Sequence, residues 1–85
     1  MKVVIIYRSD SEHGRIVEDY LRDFLRRTGT EIETLDPDSK AGISLCRTYD
    51  IVEYPTVIAL SDDGRMQNNW RGLPLPTISE LSYYS

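Results

Sequence analysis

The polar residues Ser9, Ser11, Glu12 and His13 follow the first apolar run of the chain and precede its first amphipathic segment. Hydroxyl and imidazole groups at the start of a helix are suited to holding an anion, because the first backbone N–H groups of a helix lack intrahelical partners. A structural interpretation is also open. A serine followed three residues later by a glutamate is the pattern of a capping box, which predicts Ser9 as the N-cap and Glu12 as its partner.

An imidazole is a common general base, and His13 is therefore a candidate for hydrolytic catalysis. The only nucleophiles near it in the sequence are Ser9 and Ser11, and the sequence identifies no residue that would orient the ring. The sequence thus favours binding over catalysis at this position.

Cys46 is the only cysteine and His13 the only histidine. The chain therefore has no intrachain disulfide. One thiol and one imidazole do not make a cysteine-based metal site, so neither a metal nor another cofactor is expected. Cys46 lies with Leu45 and Tyr49 on the apolar stripe of a predicted short helix, where a free cysteine is usually a small buried hydrophobe. We expect it to be buried and slow to react; the alternative is a regulatory or redox thiol, which requires an accessible thiolate.

The composition is that of a small folded domain, with 85 residues of which 40% are hydrophobic and 28% charged. A single domain over residues 1–85 is expected. Lysine and arginine number 10 against 14 aspartate and glutamate residues, a net charge of -4, and this acidic balance argues against nucleic acid or a membrane as a partner. The apolar run at residues 3–7 is too short for a signal peptide, and a single free cysteine fits a reducing compartment, so a cytoplasmic location is expected.

The first half of the chain predicts a strand, a helix, a strand and a helix. Residues 2–7 are a continuous, mainly β-branched run, typical of a strand buried on both faces. The helix that follows has apolar residues on one face, and Gly29 is suited to end it. Residues 31–35 alternate polar and apolar, as in an edge strand. The turn at residues 36–39 starts a second helix that ends near Asp50.

The second half predicts a strand, a hairpin and a short closing helix. Residues 56–60 form a second buried run, an Asp-Gly pair gives the strongest turn signal in the chain, and residues 65–70 return as an antiparallel strand. Thr77 is the predicted cap of a helix through Leu81. The order is βαβαββα, and a right-handed crossover makes the first two strands parallel.

Trp70 on the last strand, with Leu73 and Leu75 after it, has two interpretations. These side chains either cover the core, with Tyr83 and Tyr84 packing back on it, or form an exposed interaction patch. The sequence leaves both interpretations open.

The segment Tyr54-Pro55-Thr56 leads into the apolar run at residues 57–60 directly after a short predicted helix. In the order helix, loop, X-Pro-Thr, strand, it resembles the cis-proline loop of the thioredoxin superfamily, and the resemblance covers essentially the whole chain. It implies an α/β, thioredoxin-like fold with a central mixed four-stranded sheet flanked by helices. It also implies a cis Tyr54–Pro55 bond and a Tyr54 backbone that pairs with an extended peptide or with glutathione.

The superfamily carries a Cys-x-x-Cys motif at the start of its first helix, and here that place reads Glu12-His13-Gly14-Arg15. Thiol–disulfide exchange proceeds by thiolate attack, and none of these side chains forms a mixed disulfide. The dithiol oxidoreductase activity that the resemblance would imply is therefore not expected.

We expect a redox-inactive thioredoxin-fold protein that acts as a binding module for an extended peptide or protein partner. In this fold the start of the first helix and the proline loop lie at the same end of the sheet. The expected binding surface comprises Ser11, Glu12, His13, Tyr54 and Pro55. Two alternatives remain: a thiol-dependent redox or glutathione-linked enzyme that uses Cys46 or a dithiol partner, and a proline that only shapes the start of the strand.

Overall fold

The computed structural model describes residues 2–84 of the chain. Within that range the elements are β1 (Lys2–Ile6), α1 (Gly14–Thr28), β2 (Glu33–Leu35), α2 (Lys40–Tyr49), β3 (Thr56–Leu60), β4 (Met66–Arg71) and α3 (Ile78–Ser82). The predicted βαβαββα order is confirmed.

The strands form one mixed sheet in the order β2-β1-β3-β4. The strand β1 pairs with β2 in parallel and with β3 antiparallel, and β4 continues antiparallel at the far edge. The central strands β1 and β3 are buried almost throughout, which is why their sequences are continuous apolar runs. The short strand β2 lies at the other edge, as its alternating sequence predicts.

A hydrophobic core lies on each face of the sheet. On one face, Val17 and Phe24 of α1 and Leu81 of α3 pack with alternate residues of β1 and β3. On the other face, Leu45 and Tyr49 of α2 cover the intervening residues of the same strands. Because successive side chains of a strand point to opposite faces, each central strand contributes to both cores.

The start of α1 differs from the prediction. The helix begins at Gly14, its N-cap is His13, and no side chain forms a capping hydrogen bond. The expected capping box of Ser9 and Glu12 is therefore wrong. In its place, residues 9–13 form turns that lead into the helix.

Close packing at Gly14 explains why the helix begins later than the capping pattern predicts. A Cβ atom at Gly14 would collide with the backbone carbonyl of Ser9, so the turn before the helix rests directly on the first helical residue. The Gly14 N–H also donates to the Ser11 carbonyl at 3.1 Å. The local capping pattern therefore yields to a backbone contact that only a glycine permits.

The other helix ends follow the predictions. Gly29 ends α1 in the left-handed conformation, with φ of 74°. Ser39 caps α2 by accepting the Gly42 N–H at 3.0 Å. Thr77 caps α3 in a complete capping box with Glu80.

The pairing of Ile6 with Thr56 positions the two loops that contain the predicted site residues. Ile6 is the last residue of β1 and Thr56 is the first residue of β3. The loop before α1 and the loop before β3 therefore leave the sheet side by side, at one end.

Candidate functional site

The backbone of Arg8 organises the loop after β1. Its N–H donates to Nε2 of His13 at 3.1 Å, and its carbonyl oxygen accepts the Ser11 hydroxyl at 2.5 Å. The His13 ring also packs edge-on against Tyr7, with 6.4 Å between the ring centroids. The imidazole and the hydroxyl are thus both engaged in holding the loop, which is why neither caps α1.

The side chain of Arg8 joins this loop to two other parts of the chain. Its Nε and Nη2 atoms donate to the two carboxylate oxygens of Asp38, each at 3.0 Å. Its guanidinium carbon lies over the Tyr54 ring, 5.0 Å from the ring centre, within the range of a cation–π contact. A planar guanidinium can make both contacts at once, since it bonds a carboxylate through its edge and stacks through its face.

The Arg8–Asp38 pair changes the acidity of both groups. The hydrogen bond from Arg8 lowers the pKa of Asp38, and the same bond raises the pKa of Arg8. The two side chains are 40% and 71% exposed. Because an exposed ion pair contributes little to stability, its main effect here is to orient the guanidinium over Tyr54.

Tyr54 and Pro55 lie in the loop between α2 and β3, and the peptide bond between them is cis. Tyr54 is half-buried and Pro55 is buried. The hydroxyl of the buried Thr56 donates to the Glu53 carbonyl at 2.5 Å. The Gly72 N–H donates to the Pro55 carbonyl at 2.8 Å. These two bonds hold the loop on both sides of the proline.

Arg71, the last residue of β4, fixes the beginning of the same loop. Its Nη1 atom donates to the Asp50 carbonyl at 2.8 Å, and its Nη2 atom donates to the Tyr49 carbonyl at 3.4 Å. A cation at the C-terminus of a helix satisfies carbonyl groups that have no intrahelical partner. Arg71 therefore supports the loop from the end of α2.

Tyr54 packs together with Cys46 on the face of the sheet that α2 covers. Burial is the main cause that raises the pKa of Tyr54, and the neighbouring Cys46 thiol raises it further. Cys46 is only half-buried, so the expectation of full burial is wrong. The reason is that α2 lies shallowly on the sheet: Gly42 is its one fully buried residue.

The structure places Ser11, His13 and Tyr54 around Arg8, a residue that the sequence analysis did not single out. Ser11 and His13 bond to its backbone, and Tyr54 contacts its side chain. One sequence signal was available, because Arg8 is the first charged residue after a buried strand and such strand ends carry binding sites in α/β folds.

The other two predicted site residues differ in accessibility. Glu12 is exposed, and Pro55 is buried. The side chain of Glu12 is therefore accessible to solvent, whereas that of Pro55 is not.

Residues 2–84 contain neither a candidate metal cluster nor a helix that could span a membrane. No group of three or more histidine, cysteine, aspartate or glutamate side chains in that range could hold a metal ion. None of the helices in the same range is long and apolar enough to cross a membrane.

The fold and this site define an α/β protein with a thioredoxin-like architecture and a polar cluster at the start of its first helix. The chain is similar to thioredoxin 1 from the thermophilic eubacterium Thermosipho africanus TCF52B, with a TM-score of 0.66 and 17% sequence identity. The match covers 99% of this chain and 89% of that chain. It confirms the predicted thioredoxin-like fold. No protein-family model matches the chain, and no curated protein matches it.

Proposed function

We propose that this protein is a redox-inactive thioredoxin-fold binding module that holds an extended peptide or protein partner at the Tyr54–Pro55 loop. The observation that carries the proposal is the position of Arg8, whose backbone holds the loop before α1 and whose side chain lies over Tyr54. The accessible parts of Arg8, Ser11, Glu12, His13 and Tyr54 are called the Arg8 surface below.

Redox inactivity follows from the residues at the start of α1. Thiolate attack needs cysteine where the chain has residues 12–15. His13 is the N-cap of α1, and its ring is bonded to the Arg8 backbone. The groups at this end of the sheet are hydrogen-bonding groups and a cation, which suit recognition of a partner.

Two kinds of contact are open to an extended partner. Within the described residues, the backbone N–H and carbonyl of Tyr54 form no hydrogen bond with other backbone groups, so they can pair with the main chain of a partner. The Arg8 guanidinium uses two of its five N–H donors on Asp38. The remaining donors can meet a carbonyl or carboxylate oxygen of the partner.

A second candidate function is a thiol-dependent enzyme, and the position of Cys46 is the observation that favours it. The thiol is half-buried and lies close enough to Tyr54 to affect its pKa. Reduction of insulin by dithiothreitol separates the two functions. We expect the protein not to accelerate this reaction, with or without Cys46→Ser. Acceleration that disappears in Cys46→Ser would establish the enzyme instead.

Selection from a displayed library of random peptides tests the binding function. We expect enrichment of peptides that share a common sequence motif. Tyr54→Ala and Arg8→Ala should each weaken the best peptide about tenfold, the effect of losing one charge-assisted or stacked contact. Tyr83→Ala is the matched control, because Tyr83 is 76% exposed and lies outside the Arg8 surface. If all three variants bind as the wild type does, the Tyr54 loop is not the binding site.

A further inference from the structure

An open groove separates α1 from the segment that follows β4. Its volume is about 740 Å³, and its apolar walls are Ile16 and Tyr20 of α1 on one side and residues 73–75 on the other. Ile16 and Leu73 are each 50% exposed, so the groove contains a continuous accessible apolar patch. Of the two interpretations that the sequence left open, Trp70, Leu75 and Tyr84 fit the core cover, because they pack on the core. Leu73 and Tyr83 are exposed instead.

Charged residues of α1 form the rim of the groove: Asp19, Arg22, Asp23, Arg26 and Arg27. Arg22 is paired with Asp19 at 3.2 Å. Arg26 and Arg27 share a single carboxylate oxygen of Asp23, at 2.6 and 3.3 Å. Three guanidinium groups thus face two carboxylates, and the rim carries one positive charge in excess.

The groove wall also holds a hydrogen-bond donor that lacks an acceptor. The Tyr20 hydroxyl is buried and has no hydrogen-bond partner among the residues that the structure describes, while the ring is stacked on Phe24 at 6.2 Å between centroids. A buried hydroxyl without a partner is costly. Because the hydroxyl is buried, a ligand in the groove does not reach it, and Tyr20 serves as part of the apolar wall.

We propose that this groove binds a small apolar acid, a carboxylate with an aliphatic or aromatic body. Small-molecule sites typically measure about 300–1,000 Å³ and combine apolar walls with a few polar groups. The apolar body lies along Ile16 and Leu73, and the carboxylate binds Arg26 and Arg27, because the planar fork of a guanidinium matches a carboxylate. This site goes beyond the function proposed above, since it shares no residue with the Arg8 surface.

A monoanion suits the charge of the rim better than other head groups. One negative charge neutralises the excess positive charge, whereas a dianion such as a phosphate monoester would replace it with an excess negative charge. A neutral alcohol would leave the guanidinium donors and the excess charge unmatched.

Octanoate and octanol test the proposal, because they share one aliphatic chain and differ in the charge of the head group. Each is titrated into ¹⁵N-labelled protein, and the amide chemical shifts are followed. We expect octanoate to shift the amides of residues 16–27, of Leu73 and of Leu75, and to bind about tenfold more tightly than octanol.

Two variants distinguish the contribution of the rim charge to ligand binding from the contribution of the apolar wall. Arg27→Gln removes the excess charge and leaves Arg26 paired with Asp23, so octanoate binding should weaken about tenfold while octanol binding is unchanged. Leu73→Ser should weaken both ligands. Arg47→Gln is the matched control, because Arg47 is an exposed arginine in the last turn of α2, and it should leave both ligands unaffected.

Several results would overturn the proposal. One is an octanoate affinity equal to that of octanol, and another is an octanoate affinity that is the same in Arg27→Gln as in Arg47→Gln. The others are amide shifts confined to other parts of the chain, and no octanoate binding up to roughly 10 mM. The amide spectrum of each free variant shows whether it is folded, so a loss of binding is read only from folded protein.

Discussion

Arg8 contacts three parts of the candidate site. Its backbone bonds to His13 and Ser11, its guanidinium bonds to both oxygens of Asp38, and the same group lies over Tyr54. A lysine could not make the last two contacts together, because an ammonium is a point charge without a planar fork. Asp38 therefore sets the orientation of the guanidinium over Tyr54.

Arg8→Ala should raise the pKa of Asp38 toward its ordinary value of about 3.9, because the hydrogen bond from Arg8 is the main cause that lowers it. The stability that comes from this lowered pKa is present above about pH 4 and is lost as the pH falls through the lowered value. A ¹³C NMR titration of the aspartate carboxyl groups measures the change.

Asp63 is the internal control for this titration. The Ser61 hydroxyl is the main cause that lowers the pKa of Asp63, so Arg8→Ala should leave it unchanged. An Asp38 pKa that does not move in the variant would show that the Arg8–Asp38 pair is absent in solution.

Tyr20→Phe should raise the free energy of unfolding by about 1 kcal/mol at neutral pH, because a buried hydroxyl without a partner is removed. The hydroxyl has no acceptor within residues 2–84, and the ring remains to stack on Phe24. Urea denaturation of the two proteins measures the difference. Tyr83→Phe, at a 76% exposed position, is the control and should change little. A loss of stability in Tyr20→Phe would mean that the hydroxyl has a partner.

The same variant has a signature at high pH. Burial, together with the Glu80 carboxylate, raises the pKa of Tyr20 to about 12. Because the folded state resists ionisation of this phenol, its titration does not affect the free energy of unfolding below the unfolded pKa of about 10 and lowers it as the pH rises toward 12. Wild-type protein should lose about 1 kcal/mol more than Tyr20→Phe over this interval, a modest value because the ring is only half-buried and solvent screens it. Parallel stability curves would contradict this assignment.

At the scale of elements, the start of α1 shows where a local pattern is overruled. Residues 9–12 have the sequence of a capping box, yet the helix begins at Gly14. The sequence predicted the existence of the helix, its apolar face and its end at Gly29. It did not predict the first turn, because that turn depends on the contact between the Ser9 carbonyl and Gly14, which no capping pattern encodes.

Gly14→Ala should destabilise the protein by more than about 2 kcal/mol, although alanine normally stabilises a helix by about 1 kcal/mol relative to glycine. The reason is the collision of the new Cβ atom with the Ser9 backbone. Arg15→Ala, at the next and exposed position, is the control and should change stability by less than about 0.5 kcal/mol. Thermal unfolding measures both. A gain in stability at Gly14→Ala would show that the preceding loop does not rest on the helix.

For the whole molecule, the fold was predictable and the site was predictable only in part. The βαβαββα order follows from hydrophobic periods and turn residues that lie within each element. The bonds that complete the site join distant residues: Arg8 to Asp38 across 30 positions and Arg71 to Asp50 across 21. Only the folded sheet brings these partners together, so the spacing of the residues in the sequence does not predict the bonds between them.

In this protein the architecture of the fold and the residues at its candidate site are separate matters. A sheet that is similar to that of a thioredoxin here has residues 12–15 without cysteine at the start of its first helix. A fold can keep its architecture while its site changes. The Arg8 surface and the groove beside α1 are two different surfaces of this protein. A binding experiment can therefore assign a partner to one or the other.

Amide chemical shift mapping of ¹⁵N-labelled protein with the tightest peptide from the library selection shows directly whether a partner binds at the Arg8 surface. We expect the largest shifts in residues 8–13 and 51–56, and we expect Tyr54→Ala to remove them. If the largest shifts instead fall in residues 16–27 and 73–75, the peptide lies in the groove and the proposed binding function of the Tyr54 loop is contradicted.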